Sequence, residues 1–193
     1  MVSAIMLKPI TPHPAAEVMP MHKVFIGIGS NIGERLHHLQ EAVDRIALLA
    51  GTEVRGVSAI YMTEPVGESE QNRFFNGVVE LETSLAPEEL RRQCKTIEQE
   101  LGRPDAYPRW SPRVIDLDIL LYDDLSLLTE TLTIPHPELH CRNFVLIPLL
   151  DLANPLHPAM HKTILQLLSG CSDRSVLIKL KEGIRIKKRR NAR

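Results

Sequence analysis

The sequence predicts an α+β fold in which helices pack on a mainly antiparallel sheet. Short runs of branched residues alternate with two longer stretches whose apolar residues step by three and four. Glycine or proline marks most junctions between them. The elements fall in the order β-α-β-β-α-β, the ferredoxin-like arrangement, followed by a C-terminal strand and helix extension.

The first strand is residues 23–28, KVFIGI, which leads into a Gly29-Ser30-Asn31 turn that reads as a plain strand-to-helix corner capped by Asn31. A helix is expected over 32–50. There Ile32, Leu36, Leu39, Val43, Ile46 and Ala50 share one face, and Gly51 stops it. Residues 53–62 read as one strand, 64–73 as a polar loop with Pro65 and Gly67, and 74–82 as the next strand. Pro87 opens the second helix, with Glu88 and Glu89 in the first turn where the helix dipole favours acids. Its apolar stripe is Leu90, Cys94, Ile97 and Leu101, and Gly102 ends it. A loop over 103–112 leads into an apolar strand over 114–121. Residues 125–178 look like an appended piece, with a short strand at 132–134 and helices near 143–150 and 162–168.

The 193 residues suffice for one folded domain, expected over 23–178. Residues 1–22, interrupted by Pro9, Pro12, Pro14 and Pro20, are expected to be a disordered extension without the apolar run of a signal peptide. The segment 179–193 is expected to be a disordered basic tail, with eight Lys/Arg against one acid, Glu182. Of the 23 basic and 24 acidic residues overall, 15 and 23 fall in residues 1–178, a net of −8. So acidic a body argues against a nucleic-acid partner. No segment approaches the length of a membrane span. Cys94, Cys141 and Cys171 form no C-x-x-C pair, which suits reduced thiols in the cytoplasm. A monomer is expected.

The run RWSPRVIDLDILLYDD, residues 109–124, raises the chemical question. Asp116 and Asp118 lie inside an apolar strand, where an unpaired charge is costly to desolvate. Residues two apart on a strand share a face, so both carboxylates point the same way. With oxygens about 5 Å apart they would repel by about 3 kcal/mol at an effective dielectric near 20. Either one carboxyl takes up a proton, or a divalent cation sits between them, as Mg²⁺ does with one or two carboxylates plus waters and phosphates. Arg103, Arg109 and Arg113 crowd the same segment and suit phosphate oxygens, which together points to phosphoryl-type transfer from a nucleotide. The same residues would also form an internal salt-bridge network, and D-x-D alone does not separate the two. No P-loop occurs, and Gly27-x-Gly29 lacks the rest of a dinucleotide fingerprint. His136/His140 and His157/His161 have the i,i+4 spacing of zinc ligands, but Pro137 and Pro158 spoil the helix that spacing requires.

The run R-W-S-P-R-V-I-D-L-D-I-L closely resembles the signature of 6-hydroxymethyl-7,8-dihydropterin pyrophosphokinases. FIGIGSN, YMTEPVG, FFNGVVELETSL, LGR and IPHPELHCRNFVLIPL match in order, so the resemblance spans about residues 23–170. It implies transfer of the terminal pyrophosphate of ATP to the pterin hydroxymethyl group, with release of AMP, in folate biosynthesis. By position, Asp116 and Asp118 would hold two Mg²⁺ ions, while Arg103 and Arg113 would contact the phosphates and assist transfer. His136 and Arg142 would make further phosphate contacts, and Glu98, Trp110, Ile119 and Thr133 would line the nucleotide site. Phe74 and Phe144 would stack on the faces of the pterin, Asn76 would read its pyrimidine edge, and Thr63 and Val66 would border it. A flat heterocycle with a polar edge needs such a pair of apolar faces and a donor/acceptor rim.

The chain departs from the family pattern at Asp105, where many members carry an arginine, at Lys95 in place of glutamine, and at Glu64 in place of proline. Altered kinetics are expected from these, and the loops 64–73 and 103–112 are expected to close over the substrates. Two competing readings are a ferredoxin-like RNA-binding module and another D-x-D nucleotide or glycosyl transferase. The first lacks the K/R-G-F-G-F signature, and the second predicts a different leaving group.

Overall fold

A computed structural model describes residues 19–65, 71–104 and 111–187. Val66, Asp105 and Trp110 lie outside these residues, as do 1–18, 188–193 and the centres of both loops expected to close.

Strand β1 (His22–Ser30) is the central strand, flanked on both sides by antiparallel partners. Helix α1 (Arg35–Leu48) follows, then β2 (Thr52–Val57), β3 (Tyr61–Thr63), β4 (Phe74–Thr83), α2 (Pro87–Glu100) and β5 (Asp116–Tyr122). The sheet runs β3-β4-β1-β5, with β2 also on β4, which is the ferredoxin-like order predicted from the sequence. The expected strand over 53–62 is divided. At the corner Ser58 takes over the ladder: its backbone N–H donates to Val78 O, and its hydroxyl accepts from Val78 N, both at 2.9 Å. Helix α1 begins at Arg35 rather than 32, because Gly33 sits at φ 59° and breaks the helical backbone ahead of it.

After β5 come the ribbon β6 (Leu127–Leu128) and β7 (Thr133–Ile134), a 3₁₀ turn (Leu139–Cys141), α3 (Asn143–Leu152), the ribbon β8 (Leu156–His157) and β9 (Lys162–Thr163), and α4 (Ile164–Gly170). This part is more than an appendage. The alternating side chains of the sheet feed two separate cores. Val24, Ile26 and Ile28 of β1 pack with Leu117 and Ile119 of β5 under α1 and α2. Phe25, Val78, Leu120 and Leu121 pack on the other face under Leu146, Leu149, Ile164 and Leu167 of α3 and α4. The sheet is therefore covered on both faces, by α1 and α2 on one and by the C-terminal extension on the other. A register shift helps: Phe25 pairs with Leu121 but Ile26 with Ile119, so Leu120 is the extra residue of a bulge and turns into the second core beside Leu121.

The segment expected to be a tail from 179 is bound to the body as far as it is described. Strand β10 (Ile178–Lys179) adds to the free edge of β3, and Leu180 N donates to Ile60 O at 2.8 Å. Further on, the Gln40 side chain pairs with both backbone groups of Arg185 at 2.9 Å, and Lys187 meets Asp44. The anticipated boundary at 178 thus falls inside a strand. Among the described residues no helix is long and apolar enough to cross a membrane.

Candidate active site

A cleft of about 130 Å³ opens on the second face of the sheet, at the end where β1 runs into Asn31. One buried water needs roughly 10–15 Å³, so the space suits a ligand of many atoms. Its floor is made where atoms are missing. Gly27 and Gly29 lie directly opposite Asp118 and Asp116 in the β1–β5 register. A Cβ on Gly29 would come within 2.9 Å of Asn76 Oδ1, and one on Gly27 within 3.3 Å of Leu120.

The two aspartates share this face, as the strand period requires, but differ in partners. Asp116 Oδ1 accepts from Arg103 Nη1 at 2.5 Å, and its Oδ2 pairs with Arg113 Nη1. Burial pushes the Asp116 carboxyl up, but Arg113 and Arg103 outweigh it and hold it below the usual range. The Asp118 carboxylate has no hydrogen bond or ion pair among the described residues. Burial and the neighbouring Asp116 charge push its carboxyl up, against weaker pulls from His136, Lys95 and Arg113. Arg113 Nε is buried with no acceptor among the described residues. An unpaired carboxylate beside a guanidinium donor lacking an oxygen is the donor set for a hard cation bound together with phosphate.

Behind Asp116, Arg103 is only 7% exposed and also meets Glu98 Oε2 at 2.8 Å and Ile115 O at 3.2 Å. Glu98, 2% exposed, accepts from Leu117 N at 2.7 Å and pairs with Lys95 at 2.9 Å. Burial pushes its carboxyl up against both cations. The chain Glu98–Arg103–Asp116 fixes one arginine rigidly, while Arg113 stays at the cleft wall. Across the cleft, His136 N donates to Leu120 O at 3.0 Å, and His136 Nδ1 accepts from Glu138 N at 3.2 Å. That bond places the ring proton on Nε2. Burial holds the imidazole below its usual value, although Asp118 opposes it. Arg142 pairs with Glu138 and lies 5.5 Å from the Phe144 ring centroid. The N-terminus of α3, which carries Phe144, has no cap of its own; Asp173 accepts Asn143 N at 2.9 Å instead. On the opposite wall Asn76 Nδ2 donates to Thr63 Oγ1 at 2.8 Å, next to Phe74.

Of the residues singled out from the sequence, Thr63, Phe74, Asn76, Arg113, Asp116, Asp118, His136, Arg142 and Phe144 line this one cleft. Glu98 and Arg103 stand behind it. Ile119 is 4% exposed in the first core, and Thr133 pairs with Leu128 on the outer ribbon, so neither reaches the cleft. The paired histidines gather no third ligand: no group of three or more His, Cys, Asp or Glu is placed to hold a metal among the described residues. Sequence reasoning passed over Gly27, Gly29 and Asn31. The glycines carry a usable signal, a G-x-G with the same period of two as D-x-D on the neighbouring strand. Asn31 is more than a corner. Its Oδ1 accepts from Arg113 N at 2.6 Å, its N–H donates to Arg113 O at 3.0 Å, and its Nδ2 donates to Gln71 Oε1 at 3.0 Å.

The model of the family described as 7,8-dihydro-6-hydroxymethylpterin-pyrophosphokinase (HPPK) matches residues 25–154. The 2-amino-4-hydroxy-6-hydroxymethyldihydropteridine pyrophosphokinase of Bacillus subtilis is 46% identical over 128 residues, covering 66% of this chain and 76% of that one. Its Pseudomonas aeruginosa counterpart is 39% identical over 151 residues, covering 78% and 93%. The folic acid synthesis protein fol1 of Schizosaccharomyces pombe is 43% identical over 145 residues, which cover 75% of this chain but only 20% of that longer protein. The fold is similar to the crystal structure of Plasmodium falciparum wild-type HPPK-DHPS with pterin and p-hydroxybenzoate: TM-score 0.61 at 16% identity, over 81% of this chain and 42% of that one. The match spans both loops of the cleft and the aspartate strand, and the chain belongs to the 7,8-dihydro-6-hydroxymethylpterin-pyrophosphokinase family.

Proposed function

We propose that this cleft is where the chain carries out the family's reaction. The protein transfers a pyrophosphoryl group from ATP to the hydroxymethyl group of 6-hydroxymethyl-7,8-dihydropterin, in folate biosynthesis. The observation that carries the assignment is the contrast between Asp116, neutralised by two arginines, and the Asp118 carboxylate, left unpaired among the described residues on the same floor. Asp116 and Asp118 would hold Mg²⁺, two ions with the triphosphate, which supply positive charge to the phosphate oxygens. Arg113, whose Nε is buried without an acceptor among the described residues, donates to a phosphate oxygen, with Arg103 holding Asp116 behind it. His136 Nε2–H and the Arg142 guanidinium face the same space and position the nucleotide phosphates. Glu98 sets the nucleotide side by anchoring Arg103, and Trp110 completes that side in this reading.

The pterin lies between Phe74 and Phe144, with Asn76 at its edge and Thr63 and Val66 bordering it. Its hydroxyl oxygen gives up its proton to solvent and forms the new bond to the β-phosphorus as the bond from that phosphorus to the α-phosphate oxygen breaks, and AMP leaves. The enzyme works as a cytoplasmic monomer. In the deciding experiment, protein with Mg-ATP and the pterin is assayed for AMP beside an Asp116→Ala control. Pterin-dependent AMP that disappears in the variant is expected. AMP formation that persists undiminished in a folded Asp116→Ala protein would place the chemistry elsewhere.

A further inference from the structure

The pterin walls belong to different parts of the fold. Phe144 stands at the start of α3, on the helical layer, whereas Thr63 and Asn76 stand on β3 and β4 of the sheet. Strand β3 is three residues long, so its two ladders define its position poorly by themselves. Beside the apolar packing of the second core, one polar side chain ties the two parts together. Asp151, in the last turn of α3, accepts the Tyr61 hydroxyl at 3.0 Å and Ala59 N at 3.1 Å through Oδ2, and its Oδ1 lies 3.2 Å from the same hydroxyl. Tyr61 begins β3 and is 7% exposed. Burial and Asp151 push its phenol up to about 12, so it remains a donor at any working pH. Across the ladder, Tyr61 pairs with Asn76, and two residues on, Thr63 accepts the Asn76 amide.

We propose that Asp151 and Tyr61 are positioning residues for the pterin subsite, setting the distance between the α3 wall and the β3–β4 wall into which a flat ring fits. Neither lines the cleft. They act through Phe144, about 10 Å along the helix axis from Asp151, and through Thr63 and Asn76. A ring stacked on both faces responds steeply to the spacing of its walls, whereas the nucleotide phosphates meet residues on β5 and the turn before α3. A fault in this link should therefore act on one substrate. The proposal rests on the reading that the pterin binds between Phe74 and Phe144.

The test is steady-state kinetics on Tyr61→Phe, which keeps the ring and removes only the hydroxyl, with Phe144→Ala as reference. The pterin KM is expected to rise about five- to tenfold in Tyr61→Phe while the ATP KM stays within twofold. Adding Asp151→Asn to Tyr61→Phe should produce no further rise beyond the worse single variant, because both break the same link. A Tyr61→Phe enzyme with a lower melting temperature but an unchanged pterin KM, or one in which both KM values rise together, overturns the proposal. If Phe144→Ala itself leaves the pterin KM unchanged, the reading of the cleft fails and takes the proposal with it. If Phe144→Ala raises it and Tyr61→Phe does not, the link alone fails.

Discussion

Asp116 and Asp118 are chemically identical and two residues apart, yet their surroundings give them opposite effects on stability. Asp116 is held by Arg103 and Arg113, so Asp116→Asn removes charge-assisted bonds and is expected to destabilise the fold by about 2 kcal/mol. Asp118 has burial and a like charge against it, and only the weaker pulls of His136, Lys95 and Arg113 offset them. Asp118→Asn should thus melt at or above the parent temperature while activity falls by about 10²-fold or more. Thermal melts and AMP assays on the two variants check the split; equal destabilisation by both would contradict it. A histidine far from the chemistry contributes to stability on the acid side. Burial, with His140 adding to it, holds the His157 imidazole below its usual value. The unfolded chain takes that proton near pH 6.5, the folded chain only at lower pH. The stability due to His157 is therefore complete above about pH 6.5 and is lost as pH falls from there through the folded value. Urea midpoints measured between pH 8 and 5.5 should decline, and decline less steeply in His157→Gln.

Among the elements, those with a full apolar period were legible and those set by a distant partner were not. Leu39, Val43 and Ile46 of α1 and Leu90, Cys94 and Ile97 of α2 are buried on the faces their spacing assigns. The start of α1 was hidden because Gly33 takes a left-handed conformation while Ile32, 36% exposed, continues the apolar step in sequence only. The break between β2 and β3 depends on a Ser58 hydroxyl bonded to Val78, twenty residues away, which no local pattern records. Strand β10 was obscured by charge: Lys179 and Lys181 read as solvated, but Leu180 between them and Ile184 beyond them pack on the first core. Removing residues 178–193 is expected to cost roughly 2–4 kcal/mol from those two side chains and the lost strand pairing. It also leaves β3 an open edge, so concentration-dependent association should follow. Denaturant titration and gel filtration of the shortened chain test both. For the cleft, D-x-D and the arginines were visible locally. The glycine floor and the Asn31 bonds needed the strand register.

At the scale of the whole molecule, one sheet separates a purely structural core under α1 and α2 from a second core that ends in the cleft. Ligand binding therefore draws α3, β3, β4 and β5 together, and it should appear as global stabilisation. A nucleotide at a hundred times its dissociation constant adds about 2.7 kcal/mol. That corresponds to roughly 5–10 °C in the melting temperature of a chain this size. The Mg-ATP shift should shrink to a small fraction in Asp118→Asn, measured by scanning calorimetry. The floor of the cleft exposes a different vulnerability. Gly29 faces Asp116, and an added methyl group there meets Asn76 Oδ1, the movable end of a side chain, so the strand survives while the amide is turned aside. Glycine and alanine codons differ by one nucleotide. A single base change can accordingly leave a soluble, cooperatively folding protein that no longer orients its substrate, and a screen for expression or heat resistance would pass such an allele unnoticed.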